Sequence, residues 1–317
     1  MEGEKLKLVP GIIKDHLSGM KMSDDGESFL FTELIMPNKG IEALNKCVEE
    51  GKEVYIVNFA NNGIADPTFL SCMANLVHLD LSKNKVKNLS IFSTEEFCLN
   101  LKYLDISSNK FTELPALKCP KLQYLDISYN KLEKVNEGWA GHGELKIFKS
   151  IDNKFKNMTP FKNMPKLLEL YLANNQIGAL SGYEGLGALK KLHLRHNKIA
   201  KIEEELPELP SLKYLNLRTN ALPTMEDAYR LLTGYPELDD INLINCPCEL
   251  AFSSMNLMVG KMLSKKTALK RFCKVDITDQ HRLEAVYLAK YEWTKAEEEA
   301  KRLAEEEAAK AAAEEAG

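Results

Sequence analysis

Large apolar side chains recur along this chain in one short frame. The stretches "LKYLDISSNK" (101–110) and "LQYLDISYNK" (122–131) differ at two of ten positions and begin 21 residues apart. In both, leucine or isoleucine stands eight, five and three residues before an asparagine, with mostly polar residues between. The same frame fits Leu76/Leu79/Leu81/Asn84, Leu101/Leu104/Ile106/Asn109 and Leu122/Leu125/Ile127/Asn130. It returns at Leu167/Leu170/Leu172/Asn175, Leu189/Leu192/Leu194/Asn197 and Leu212/Leu215/Leu217/Asn220. Val54/Val57/Phe59/Asn62 is an aliphatic and aromatic version, and Leu238/Ile241/Leu243/Cys246 ends the series with a cysteine. With an irregular coil at Asn153 counted, successive frame positions lie 21 to 26 residues apart. Eight matches at that regularity mark a repeat architecture.

The frame L-x-x-L-x-L-x-x-N is the core of a leucine-rich repeat. The residues five and three before the asparagine alternate along one short strand, so both point inward. Such a strand is too short to stand alone, and each coil must stack on its neighbours. The predicted fold is therefore an α/β leucine-rich-repeat solenoid with a curved, parallel concave sheet. The asparagine amide carries donors and an acceptor in one short side chain, which suits it to pairing turn backbone between coils. Most return segments fit loops and single turns of tight helix. "MEDAYRLL" (225–232) reads as a true helix capped by Thr224.

One coil breaks the rule. Before Asn153 stand Leu145 and Phe148, but the third core position is Ser150, which burial would oblige to find a hydrogen-bond partner. A degenerate first coil is expected over 31–44, with Ile35 and Asn38 in the core-to-asparagine relation. A capping helix is expected over 250–263, with Leu250, Met255, Met258, Met262 and Leu263 at helical spacing. The domain reading is a leader (1–28), a repeat domain with caps (29–278) and a charged terminal helix (279–317).

Strand residues six, four and two before the asparagine face outward, and on this scaffold they carry function. Tyr103/Asp105/Ser107 and Tyr124/Asp126/Ser128 repeat one triad on adjacent strands about 4.8 Å apart. Asp80 precedes them. Lys149, Tyr171, Lys191, His193, Arg195, Tyr214 and Arg218 follow. The face is acidic toward its N-terminal side and basic toward its C-terminal side. Tyr and Arg are enriched at protein–protein hot spots, and charge polarity orients a partner. The candidate partner-binding residues are therefore Tyr103, Asp105, Tyr124, Asp126, Lys149, Tyr171, Lys191, His193, Arg195, Tyr214 and Arg218. Three aligned carboxylates could also attract a hard cation, but the spacing and the lack of a carbonyl-rich loop argue against it.

Composition changes this picture little. The 317 residues carry a formal net charge of −4, which argues against phosphate-neutralising nucleic-acid binding. No apolar run is long enough to span a bilayer, and the N-terminal segment lacks a secretory signal pattern. Seven cysteines, an odd number, are scattered singly except for Cys246 and Cys248. Reduced, mostly buried thiols in an intracellular compartment are expected. From Asp279 onward eleven acidic and six basic residues give a net −5. Leu283, Val286, Tyr287, Tyr291 and Trp293 form an apolar stripe for the first turns of that helix, and beyond them only Leu303 is large and apolar. No enzyme is indicated. "GYEGLG" (182–187) lacks a nucleotide loop's context, the histidines form no metal or triad pattern, and Cys246, Cys248 and Cys273 lack a fourth zinc ligand. No cofactor, metal or small-molecule substrate is expected.

Several stretches together resemble one family of intracellular leucine-rich-repeat proteins. The leader "IIKDHLSGMKMSDDGESFLFTELIMPNKGI", the run "YLANNQIGALSGYEGLGALKKLHLRHNKI", the coil "LKYLNLRTN" and the charged terminal helix are similar to the axonemal leucine-rich-repeat protein of ciliary radial spokes. The resemblance spans roughly residues 12 to 300. It implies a non-enzymatic scaffold of the cilium or flagellum that contacts other spoke subunits, with no nucleic-acid or membrane partner. "NCPCELAFSSM" departs from the simpler Asn-Pro cap expected in that family. A rival reading is a regulatory subunit cradling a Ser/Thr protein phosphatase on its concave face, against which the leader and the long Ala/Glu tail speak. An immune or adhesion ectodomain would call for a signal peptide and paired cysteine caps.

Overall fold

A frame with one inward-pointing pair per coil predicts one short strand per coil, and the computed structural model has one. It describes residues 6–8, 15–23, 29–44, 53–94, 97–203, 205–250, 255–266 and 268–291, with positions 295, 299 and 302. Trp293 and Leu303 of the expected terminal helix lie outside the described residues. Among the described residues, thirteen strands form one continuous sheet. Eleven of its strands run parallel, from Phe29–Ile35 through Tyr103–Asp105 and Tyr124–Asp126 to Asp240–Asn242 and Arg271–Phe272. Cross-strand partners stack like on like. Leu79 pairs Leu104, Leu104 pairs Leu125, Leu125 pairs Phe148, and Leu170 pairs Leu192. These side chains are buried, and a fully buried leucine contributes about 2 kcal/mol of transfer free energy. The stack of coils, not any single strand, holds the sheet together.

The asparagines form a second ladder behind the strands. Asn109 Nδ2 donates to the carbonyls of Leu81, Ile106 and Ser107, and its Oδ1 accepts from the backbone N–H of Val86. Asn84, Asn130, Asn175 and Asn220 each bond the preceding coil at the same relative positions. Cys246 keeps one rung, its Sγ donating to Leu217 O at 3.2 Å. Immediately before each ladder position the backbone turns left-handed, as at Lys83, Ser108, Tyr129, Asp152, Asn174, His196 and Thr219. The repeat frame carries no glycine there, so every coil accepts this local cost to turn the chain inward.

The irregular coil resolves as a satisfied polar core. Ser150 is fully buried, and its Oγ accepts from Asn153 Nδ2 at 3.2 Å. Around that coil the core is aromatic. Phe161 meets Phe148 and Phe155 edge to face at 5.4 and 5.1 Å, and Trp139 Nε1 donates to Pro160 O.

Four expectations need correction. The first coil is shifted by one residue, because Leu34 pairs Val57 and lies with Met36 in the core. Ile35 points outward at 37% exposure, and Asn38 occupies the left-handed turn rather than the ladder. Three consecutive apolar residues, Leu34 to Met36, leave the frame ambiguous, and pairing with the next coil decides it. The capping helix is Met255–Lys265, while Leu250 ends a separate turn, Pro247–Leu250. Met258, Val259, Met262 and Leu263 are buried in it. Leu283, Val286, Tyr287 and Tyr291 do not pack inward but are 55–73% exposed on the helix over 279–291. That helix lies on the cap through Ala285 and Leu288, which approach Gly260, where only a small residue permits the contact. Finally, Cys98, Cys119, Cys246, Cys248 and Cys273 are free and buried, but Cys72 is disulfide-bonded. Cys72 sits half-exposed at the end of the tight turn Thr68–Cys72, unlike the five buried thiols.

Both ends of the sheet close with antiparallel hairpins. Leu17–Met22 pairs Phe29–Ile35, and Arg271–Phe272 pairs Val275–Asp276. The Thr224 cap is present, accepting from Asp227 N at the start of Met225–Gly234.

Candidate functional site: the concave face

The outward strand positions place the candidate residues in one surface. Their side chains assemble into two aromatic stacks that run across the strands. In the first, His78 stacks on Tyr103 at 4.0 Å and Tyr103 on Tyr124 at 4.2 Å, with nearly parallel rings. In the second, Tyr171 stacks on His193 at 4.6 Å and His193 leans on Tyr214 at 4.8 Å. Between them Lys149 holds its ammonium 5.0 Å from the Tyr124 ring and 5.9 Å from the Tyr171 ring. Each ring contact adds about 0.5–1.5 kcal/mol, and none of these rings is fully buried.

Polar groups tie the stacks down. Tyr124 donates to Asp126 at 3.3 Å, Tyr171 donates to Glu169, and Lys191 pairs Glu169 at 2.9 Å. Burial, followed by the Glu169 contact, pushes the Tyr171 phenol up to about 12. Burial also raises the phenols of Tyr103 and Tyr124. His193 is pushed down to about 4, first by burial and then by the Arg195 and Lys191 charges, so at neutral pH its ring is uncharged. The tyrosines stay protonated donors. The stack is a neutral aromatic surface.

The aligned aspartates have a structural duty that their spacing does not reveal. Asp80, Asp105 and Asp126 each accept a backbone N–H two residues on, at 2.8–2.9 Å. Asn58, Asn216 and Asn242 accept the same bond in other coils. The Asx turn therefore does not require a charge. Burial raises the Asp105 carboxyl to about 6, against opposing bonds from Ser107, and the neighbouring Asp126 and Asp80 charges add to the rise. Among the described residues no cluster of histidine, cysteine and carboxylate groups is arranged to hold a metal ion.

Some residues in the outward series turn away from solvent. Ser82 and Ser128 are buried, and Ser128 Oγ accepts from Ile151 N in the next coil. Asn216 and Asn242 are buried too. Three contributors are absent from the candidate set. His78 extends the first stack from the same frame position as Tyr103. Arg271 and Lys274 join the basic end from the terminal hairpin, where no ladder asparagine extends the frame.

Comparison with known proteins agrees with this geometry. The family model described as Leucine Rich repeats (2 copies) matches residues 99–140 and 188–228, and the model described as Leucine rich repeat matches 157–199. The fold is a leucine-rich-repeat solenoid. Leucine-rich repeat-containing protein 23 from Bos taurus is 24% identical over 248 residues, covering 76% of this chain and 69% of that protein. Lumican from Bos taurus is 34% identical over 112 residues, about a third of each chain. Among solved structures, the LRIM1/APL1C complex aligns at a TM-score of 0.58 and 19% identity, covering 68% of this chain and 39% of that one. The functional domain of InlJ from Listeria monocytogenes aligns at 0.57 and 20% identity over 80% of this chain and 57% of that one. These structural likenesses concern the solenoid alone. Such solenoids are generally protein-interaction modules without enzymatic activity, and this one presents an ordered aromatic and charged concave surface.

Proposed function

We propose that this chain is a non-enzymatic scaffold of the ciliary axoneme, binding radial-spoke subunits through its concave face and terminal helix. The observation that carries the binding role is the pair of aromatic stacks bridged by Lys149, pre-ordered yet half-exposed on a rigid sheet. A surface that is already ordered loses little side-chain entropy on association. The axonemal setting rests on the leader, the coil lines and the charged tail that resemble the spoke protein, and the similarity to leucine-rich repeat-containing protein 23 is consistent with it. The exposed stripe of Leu283, Val286, Tyr287 and Tyr291 supplies a second contact surface on the cap.

Cross-linking mass spectrometry on native extract and detergent-resistant ciliary material tests the proposal. Links from Lys149 and Lys191 to spoke subunits are expected. Links to a soluble phosphatase instead would replace the scaffold reading with the regulatory-subunit one. A second test substitutes alanine at Tyr103, Tyr124, Tyr171, Arg195 and Arg218 together. Unchanged incorporation into the complex would move the contacts to the convex side or the terminal helix.

A further inference from the structure

The C-terminal end of the concave face holds cations that the fold does not neutralise. Arg195 and Arg218 stand two residues before successive ladder asparagines, Asn197 and Asn220, each two residues past the end of one of the adjacent parallel strands Lys191–His193 and Tyr214–Asn216. Like charges at matching positions of neighbouring coils repel. On the same half of the face Lys191 is set on Glu169 at 2.9 Å. Among the described residues neither Arg195 nor Arg218 forms an ion pair, and Arg218 Nε is buried without a hydrogen-bond partner. Both line a cleft of about 320 Å³ with Tyr214, Asn242, Arg271 and Lys274.

The terminal hairpin completes this cleft at a local cost. Its two turn residues, Cys273 and Lys274, both adopt left-handed backbone, at φ 49° and 69°. Neither is glycine, so the turn is strained. Cys273 Sγ accepts from Leu243 N in the core, and Lys274 is left exposed beside the arginines. Arg271 is already committed, pairing Asp276 at 2.9 Å. Among the described residues, that leaves Arg195, Arg218 and Lys274 as unpaired cations around one opening, with Asp240 as the lining carboxyl.

From this arrangement we infer that the cleft binds a phosphorylated side chain of a protein partner. A phosphomonoester brings close to two negative charges and three acceptor oxygens, matching three cationic donors, whereas one carboxylate leaves the set under-neutralised. The guanidinium fork of Arg218, with Nε turned inward, suits a tetrahedral oxyanion. This assignment rests on the partner-binding reading of the concave face and names the chemistry recognised at one end of it.

The test is fluorescence polarisation of the full chain with peptide libraries that fix a central phosphoserine, glutamate or serine and randomise the flanks. Inorganic phosphate serves as competitor. Phosphoserine peptides should bind at least about tenfold tighter than glutamate peptides. Combining Arg195→Gln with Arg218→Gln should remove at least about tenfold of that affinity while the urea midpoint does not fall, which shows the variant is folded. Equal binding of glutamate peptides would overturn the dianion argument. Unchanged binding by the double variant would overturn the location. Inorganic phosphate binding as tightly as the phosphopeptide would make the ligand a free phosphate rather than a partner's side chain. If phosphoserine selection fails while cross-links to spoke subunits persist, this inference falls and the scaffold reading stands. If selection holds and the cross-links lead elsewhere, the anion site stands without the axonemal setting.

Discussion

Replacing Asp105 by asparagine should make the protein more stable at neutral pH. The bond that Asp105 makes to the Ser107 N–H is one that Asn58, Asn216 and Asn242 make in other coils, so the variant keeps the turn. What it loses is a partly desolvated charge flanked by Asp80 and Asp126. A carboxyl raised from 3.8 to about 6 favours unfolding at pH 7 by about 3 kcal/mol at most, and partial solvation of the face lowers this to about 1–3 kcal/mol. The sign follows from proton binding. Between about pH 4 and 6 the folded state holds the proton more tightly than the unfolded chain, so this group's contribution is full below pH 4 and lost as pH rises through 6. Urea titrations of both proteins at pH 4, 5 and 7 should show Asp105→Asn more stable at pH 7 and the gap closing toward pH 4. A variant less stable than the parent at pH 7, or a gap independent of pH, would refute the reasoning. If the stabilised variant also binds spoke subunits less well, the carboxylate is retained for the partner at the expense of the fold.

Asn109→Ala should cost about 1–3 kcal/mol, because it strands the buried Val86 N–H, while the Leu81 carbonyl keeps its bond from Asn84; a fall in the urea midpoint measures it. Gly141→Ala should destabilise strongly, since φ is +87° and an added Cβ would lie 2.5 Å from Lys162 O and 2.6 Å from Asn163 O; a depressed Tm is the readout. Val286→Ser with Tyr287→Ser should change stability by less than about 0.5 kcal/mol, because both side chains are exposed, while reducing incorporation into ciliary complexes.

Much of this architecture was legible because the frame fixes both the strand and its two faces. Leu104 and Leu125 had to point inward once Asn109 and Asn130 were aligned, and Tyr103 and Tyr124 then had to point out. The frame failed where its periodicity is ambiguous or absent. Leu34, Ile35 and Met36 are all apolar, so only pairing with Val57 distinguishes inside from outside. Helical spacing singled out the large residues Leu283, Tyr287 and Tyr291 as the packing face. The surface they would pack on contains Gly260, and close approach of the backbones selects Ala285 instead. Frame position also says nothing of hydrogen bonds, so Ser128 looked outward while its hydroxyl serves Ile151 N. The basic cleft was half visible. Arg195 and Arg218 fall in the frame, whereas Lys274 reaches them from a hairpin outside it.

The order of charges along the face constrains what can occupy it. From the Asp80 strand to the Arg218 strand there are six inter-strand steps, or about 29 Å at about 4.8 Å each. A partner segment meeting both ends therefore needs about 20 residues if helical or about nine if extended. It must carry basic groups over Asp80, Asp105 and Asp126 and a phosphorylated residue over Arg195 and Arg218. Lys149 stands midway, where the aromatic line moves from Tyr124 to Tyr171, and its ammonium touches both rings. Lys149→Met keeps the stem but removes the cation, and should lower stability by about 0.5–1 kcal/mol. A partner bridging both stacks would feel more than that loss, because each half of the face would then be oriented separately. Equal loss of binding from Lys149→Met and from Lys191→Met would show instead that only net charge matters, and that the bridge between the stacks does not.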